Sequence, residues 1–234
     1  QQQRVAIARA IVTNPDVLLA STWQRHRHFF GYLAGGPESG LHRSTDGGKT
    51  WERVLFVNNL TGCTDIVMDP QNPDVLIAAM YQRQRSAFGY AGSGAGSGLH
   101  KSTDGGKTWT KLTKGLPTTE LGRIGLDIYK RNGKIIYATV ESKNSGSTQT
   151  PAGNGGLYRS DDGGDSWVYL SDTNPRPMYF SQVRIDPNND LRIYVLGVQI
   201  HISDDGGKTF IENGALHSDH HAMWINPKNS NHII

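Results

Sequence analysis

The sequence predicts an all-β chain: a partial β-propeller of four-stranded antiparallel blades with tight hairpins, plus a short N-terminal helix. Three observations carry this expectation. An eight-residue phrase recurs four times, with Asp46, Asp104, Asp162 and Asp205 at its third position. Self-similarity at this period marks a repeat architecture whose units bury one another's apolar faces. Each unit also carries a second pattern, in which two short apolar runs flank a turn such as Gln71-Asn72-Pro73-Asp74 or Asn188-Asn189-Asp190. Finally, 28 glycines and a charged fraction of 19% suit a turn-rich sheet protein and argue against disorder.

The elements follow in chain order. Residues 1–13, with Val5, Ala6, Ile7, Ala10 and Ile11 between Arg4 and Arg9, have the spacing of an amphipathic helix. Residues 14–56 read as a first, incomplete blade, and 61–113, 121–170 and 179–212 as three nearly whole ones. Residues 220–234 start another. In each blade the strands run A, B, C, D, with the repeated phrase at the C–D turn. Its two central glycines supply positive φ for a tight turn, and its Asp and Ser/Thr groups can bond to nearby backbone. The terminal aromatic residue (Trp51, Trp109, Trp167 or Phe210) must pack on something, and the next unit is the expected place.

Closing a propeller ring takes at least four whole blades, so a piece of a longer protein is expected, with remaining blades of the same chain as its neighbours. Cys63 is the single cysteine, which excludes an intrachain disulfide. No apolar run is long enough to span a membrane. The net charge of +3, without a recognisable motif, gives no reason to expect a nucleic-acid partner.

The phrase resembles the Asp-box, or bacterial neuraminidase repeat, of the form Ser-x-Asp-x-Gly-x-Thr-Trp. The residues that carry the resemblance are Ser44, Asp46, Gly48 and Trp51, then Ser102, Asp104, Gly106 and Trp109. They return as Ser160, Asp162, Gly164 and Trp167, and as Ser203, Asp205, Gly207 and Phe210. Over residues 14–234 the wording is similar to sortilin-type propellers and to secreted bacterial Asp-box proteins. The resemblance implies an extracellular or periplasmic location and a structural role for the box aspartates. Residues 1–20 resemble instead the helix and strand after the signature motif of ABC transporter ATPases. Ser21 and Thr22 stand where that family has its Asp-Glu pair, and Arg43, Lys101 and Ile202 stand where a P-loop needs glycine, so nucleotide hydrolysis is excluded.

Strand order places the B–C and D–A connections on one face and the Asp-boxes on the other. The first face is richer in chemistry. Its B–C segments bring Arg25, Arg27, Phe29 and Tyr32, then Arg83, Arg85, Phe88 and Tyr90, and its D–A segments bring Tyr179, His217, His220 and His221. Arginine suits carboxylate or phosphate, and aromatic rings suit sugars or peptide side chains. The leading expectation is therefore a non-catalytic binding module for a protein or carbohydrate ligand. The alternative is a glycoside hydrolase with catalytic acids partly in other blades, because neither a sialidase arginine triad nor a xyloglucanase-type catalytic strand can be picked out. No catalytic residue, metal or cofactor is assigned. His220 and His221 are adjacent and would point to opposite faces of a strand, which works against a shared metal ion.

Overall fold

The computed structural model describes residues 17–28, 31–86, 89–143, 155–214 and 217–234, with the side chains of 25–28 and 31–34 set aside. The expected helix at 1–13, and Phe29 and Phe88, lie outside the described residues. Every regular element among the described residues is a β-strand. Among the described residues no helix is long and apolar enough to cross a membrane.

Strands β1 (Leu18–Thr22), β4 (Gly40–Ser44) and β5 (Glu52–Leu55) form a three-stranded antiparallel sheet. In the next blade β6 (Thr61–Met68), β7 (Leu76–Ser86), β9 (Gly98–Ser102) and β10 (Thr110–Leu112) pair in that order. The third blade is β11 (Leu121–Ile128), β12 (Ile136–Ser142), β13 (Gly156–Ser160) and β14 (Val168–Ser171). The fourth is β15 (Gln182–Asp186), β16 (Asn189–Leu196), β17 (Ile200–Ser203) and β18 (Ile211–Asn213). A final pair, β19 (Ile225–Asn226) and β20 (Asn229–Ile233), follows.

The apolar residues gather between sheets. Leu41, Leu55, Cys63, Ala78 and Met80 pack between the first and second blades, and Ile77, Leu99, Ile124, Leu126 and Trp167 between the second and third. Tyr137, Leu157, Val183 and Ile193 fill the next interface. Tyr194, Leu196, Ile200 and Ile225 fill the last. Each fully buried aliphatic side chain contributes roughly 1.5–3 kcal/mol of transfer free energy, so the stability of the array lives at its inter-blade seams.

The Asp-box hairpins share one geometry. In the second, Ser102 Oγ donates to Asp104 Oδ1 at 2.7 Å and accepts the Gly106 N–H at 2.8 Å, while Thr108 donates its N–H to Asp104 Oδ1 at 2.9 Å and its hydroxyl to Oδ2 at 2.6 Å. Gly105 and Gly106 take φ of 71° and 83°, which glycine reaches without strain. The Thr108 bonds first, and then that from Ser102, hold the Asp104 carboxyl far below the usual range. In the third box, against the opposing pull of burial, bonds from Ser166 and Ser160 lower Asp162 to about 2. The first glycine of three boxes also donates to the A–B turn of its own blade: Gly105 to Asp74, Gly163 to Lys134 and Gly206 to Leu191.

The box aromatics depart from expectation. Trp109 packs with Leu41 and Leu55 of the first blade, Trp167 with Ile77 and Leu99 of the second, and Phe210 with Tyr137 and Leu157 of the third. They cover the preceding unit rather than the next. The forward contact is made by the basic residue just before three of the box serines. Arg43 Nη1 donates to the Gly105 carbonyl at 2.8 Å, Lys101 pairs with Asp165 at 2.6 Å, and Arg159 pairs with Asp190 at 2.9 Å.

Aspartates on the first strands of two blades latch neighbouring blades. Asp65 Oδ2 accepts the N–H of Leu126 at 2.9 Å, and Asp127 Oδ2 accepts that of Ile185 at 2.8 Å. Burial raises the Asp65 pKa despite these bonds. Both Asp65 oxygens accept backbone N–H groups, from Ile66 and Leu126, so this carboxylate is committed to structure.

Candidate functional site

The B–C segments, read from sequence as long loops, are strands. β2 (Arg25–His28) and β3 (Gly31–Ala34) form a hairpin out of the first blade, and β3 pairs with the outer half of β7 from the second. β7 then pairs with β8 (Gly89–Ala91). The correction has a plain cause: Arg25-His26-Arg27-His28 and Arg83-Gln84-Arg85-Ser86 alternate at period two, and edge groups of one hairpin find partners on the other. The result is a four-stranded ribbon shared by two blades.

Its register aligns the residues singled out from sequence. Arg27 stands opposite Tyr32, Tyr32 opposite Arg85, and Arg85 opposite Tyr90. Arg25, Ala34 and Arg83 form the neighbouring row two residues along. Residues opposite one another or two apart share a sheet face, so Arg25, Arg27, Tyr32, Arg83, Arg85 and Tyr90 occupy register positions of one face. The Arg83 guanidinium carbon lies 5.3 Å from the centre of the Tyr90 ring, which is 45% exposed.

Beneath the ribbon, at the junction of the second and third blades, sits an acid that the sequence reading missed. Glu141, near the end of β12, accepts the Arg123 N–H on Oε2 at 2.9 Å. A Cβ at position 122 would approach that oxygen to 2.4 Å, so Gly122 is what gives the carboxyl its place. Burial raises the Glu141 pKa, while the Arg123 N–H and the charges of Arg83 and Arg123 pull it back. Tyr81, fully buried, is pushed upward by burial and by the Glu141 charge, and its ring meets Trp23 at 5.2 Å. The signal available in the sequence was a lone acid closing the apolar run Ile135-Ile136-Tyr137-Ala138-Thr139-Val140 at the B–C edge.

Arg123 links this group to the D–A connection of the fourth blade, donating to the Tyr179 carbonyl at 2.7 Å. There the His221 ring stacks on Phe180 at 4.9 Å and meets Tyr179 edge-on at 4.8 Å, with Arg176 over the Tyr179 ring at 4.9 Å. Asp219 lies 3.6 Å from His221 Nε2. Among the described residues, the non-glycine residues at positive φ are Arg176, Ser181 and Asp219, and all three lie in these D–A connections. Such strain persists only where surrounding bonds impose it. Here these include Ser181 Oγ to the Pro177 carbonyl at 2.6 Å and the Asp219 N–H to the Val198 carbonyl at 3.1 Å. His217 turns to the Ser218 carbonyl. Among the described residues no group of three His, Cys, Asp or Glu side chains is placed to hold a metal ion.

Taken together, this face carries a carboxyl with raised pKa between two arginines, flanked by exposed and buried aromatic rings. That chemistry can hold and release a proton.

Comparison with known proteins agrees with the repeats and revises the function. The BNR/Asp-box repeat family matches residues 42–53 and 100–111. Xyloglucanase Xgh74A of Acetivibrio thermocellus is 28% identical over 161 residues, which are 58% of this chain and 18% of the relative. A sialidase of Bacteroides fragilis is 29% identical over 156 residues, 55% of this chain and 28% of the relative. The chain thus spans less than a third of the length of either. Among solved structures, a GH74 enzyme of Niastella koreensis superposes with a TM-score of 0.53 at 22% identity, over 84% of this chain and 27% of that one. The GH74 xyloglucanase of Xanthomonas campestris superposes with 0.55 at 17% identity, over 84% and 33%. The expectation of a non-catalytic binding module is overturned by these relatives, which are enzymes acting on glycosidic bonds. Sequence reading leaned away from catalysis because neither a sialidase arginine triad nor a xyloglucanase-type catalytic strand can be picked out. The chain carries BNR/Asp-box repeats at residues 42–53 and 100–111 and has the fold of β-propeller blades.

Proposed function

We propose that this chain forms part of the active face of an extracellular or periplasmic glycoside hydrolase, with Glu141 as the proton donor to the leaving oxygen. The observation that carries the proposal is the Glu141 carboxyl itself. It lies on the B–C face, with a pKa raised by burial, and Arg83 and Arg123 stand close enough to act on its charge. A carboxylic acid that keeps its proton toward neutral pH is what protonation of a glycosidic oxygen requires. Similarity to a xyloglucanase and a sialidase supports the class of reaction. Hydrolysis takes a second carboxylate as base or nucleophile, and since the chain spans less than a third of its relatives, we assign that group to another part of the protein. The exposed rings of Tyr179 and His221, backed by the buried Phe180, then serve as a wall for a sugar ring.

The test is hydrolysis of xyloglucan and of a fluorogenic sialoside by the full-length protein and its Glu141→Gln variant. The expected result is cleavage of one substrate, with kcat/KM lowered about 10²–10⁴-fold in the variant at an unchanged Tm. The wild-type profile should lose activity as pH rises through the Glu141 pKa, and the variant should lack that limb. Full activity in Glu141→Gln, or no cleavage of either substrate by the wild type, would overturn the assignment.

A further inference from the structure

The fourth box departs from the other three in its last letter: Phe210 stands where they carry Trp51, Trp109 and Trp167. Each of those indoles donates to a glycine carbonyl of its own box, whereas a phenyl ring is smaller and has no N–H to give. Beside Phe210 an open cleft of about 490 Å³ separates the outermost strands of two blades, β14 of the third and β18 of the fourth. Glu141 is on β12, two strands inward in the third sheet. Pro175, on one wall, is held close against the fourth blade, where a Cβ on Gly197 would come within 2.7 Å of its Cγ. Three polar atoms of side chains in that wall, Ser171 Oγ, Asn174 Nδ2 and Asn174 Oδ1, are buried without a hydrogen-bond partner. Buried polar atoms in native proteins are nearly all paired, and one left unpaired carries the cost of its lost hydration.

We propose that this cleft binds a sugar residue of a neutral glycan, with neighbouring hydroxyls on Asn174 and Ser171 and an apolar ring face against Phe210. The unpaired atoms ask for a mixed complement: Asn174 Nδ2 is a donor, Oδ1 an acceptor, and the Ser171 hydroxyl both. A simple cation has no acceptor for the Nδ2 N–H, and an anion has no donor for Oδ1. The charged lining residues, Asp172 and Glu212 against Lys208, also leave an excess of negative charge. His201 pairs with Glu212 at 3.7 Å, yet burial holds its pKa below the ordinary value, so its ring adds no positive charge near neutral pH. Adjacent sugar hydroxyls each donate and accept, which meets all three atoms at once. Phe210 is half-buried against Tyr137 and Leu157, and as a cleft residue it offers the C–H face of a pyranose an apolar surface. No hydrogen bond holds the Asn174 amide in the wall, so it can turn toward a ligand at little cost. The inference does not require Glu141 to be catalytic.

The experiment is photolabelling of the full-length protein with diazirine-bearing cellotetraose, mannotetraose or xylotetraose, the adducts being mapped by peptide mass spectrometry. Tetra-alanine and tetragalacturonate carrying the same group run in parallel. Saturable labelling is expected within residues 171–175 or 199–212 by at least one neutral tetrasaccharide, competed by the unlabelled sugar and not by the peptide or the acid. Asn174→Leu should raise the half-saturating concentration about tenfold, and Ser171→Ala about threefold. Both should keep or raise Tm, because deleting an unpaired polar group removes no internal bond. Labelling at the cleft should persist in Glu141→Gln, and Asn174→Leu should leave hydrolysis of a short aryl glycoside unchanged, so the two readings fail separately. The proposal is lost if no neutral sugar labels the cleft, or if the peptide or the acid labels it more strongly. It is equally lost if Asn174→Leu lowers Tm while labelling stays as in the wild type, since the amide would then serve structure alone.

Discussion

Gly47 and Gly207 do the same conformational work in different surroundings. Both hold left-handed φ, 72° and 90°. A Cβ at Gly47 would meet nothing within 4 Å, whereas one at Gly207 would come within 2.4 Å of Leu157 Cδ2 and 2.9 Å of Ile193 Cδ1. Those two methyls belong to fully buried residues of one packed seam, so they have little room to retreat. Gly47→Ala should therefore cost about 1–2 kcal/mol, the price of the left-handed backbone alone. Gly207→Ala should add roughly 1–3 kcal/mol of overpacking. Urea denaturation midpoints at constant slope measure the difference, and equal losses at the two sites would refute the packing argument. At this scale the sequence was informative: the Gly-Gly pair, and the Ser, Asp and Thr around it, declare a turn locked by its own side chains. It was silent about Glu141, whose pKa is raised by burial, and whose place depends on Gly122 and the Arg123 N–H of a neighbouring strand.

At the level of the element, the D strand matters through its aromatic anchor. Trp167 is 3% exposed, its Nε1 donates to the Gly164 carbonyl at 3.1 Å, and its ring joins the seam between the second and third blades. Trp167→Ala should destabilise by about 3–5 kcal/mol, from lost burial and the cavity left behind, and calorimetric unfolding would show it. A loss below 1 kcal/mol would mean that the seam does not depend on this ring. The strands themselves were legible because turn chemistry and apolar runs recur in step. The ribbon was not, although its Arg-x-Arg alternation has strand period, since its pairing partner lies more than fifty residues away in another repeat. The basic residue ahead of three box serines was visible in the same way, as a recurring letter whose acceptor could be found only in three dimensions.

For the molecule as a whole, the repeat multiplies one titrating group. His42, His100 and His201 occupy the same place in strand C, two residues before the box serine, and Tyr158 fills it in the third blade. Burial, first, lowers the pKa of all three histidines, with Arg53 adding to it at His42 and Lys111 at His100, which falls to about 4. A buried imidazole with depressed pKa binds its proton more weakly folded than unfolded. Stability is therefore full above the unfolded value of 6.5 and is lost as pH falls from there toward 4. For His100 the loss amounts to about 3 kcal/mol near pH 4. Chemical denaturation between pH 7 and 4 should show that slope, and His100→Tyr, which copies the third blade, should flatten it. A variant as acid-sensitive as the wild type would exclude His100 as the source.

The clasps between blades all reach the same way along the chain: Arg43 to the second box, Lys101 to Asp165, Arg159 to Asp190. A polypeptide emerging from the ribosome therefore shows each of these cations before its acceptor has been made, so the second, third and fourth sheets each close onto a hand already extended. Growth of the array should therefore be vectorial, and a circular permutant that severs one clasp from its acceptor should fold more slowly at that joint while keeping the same final architecture.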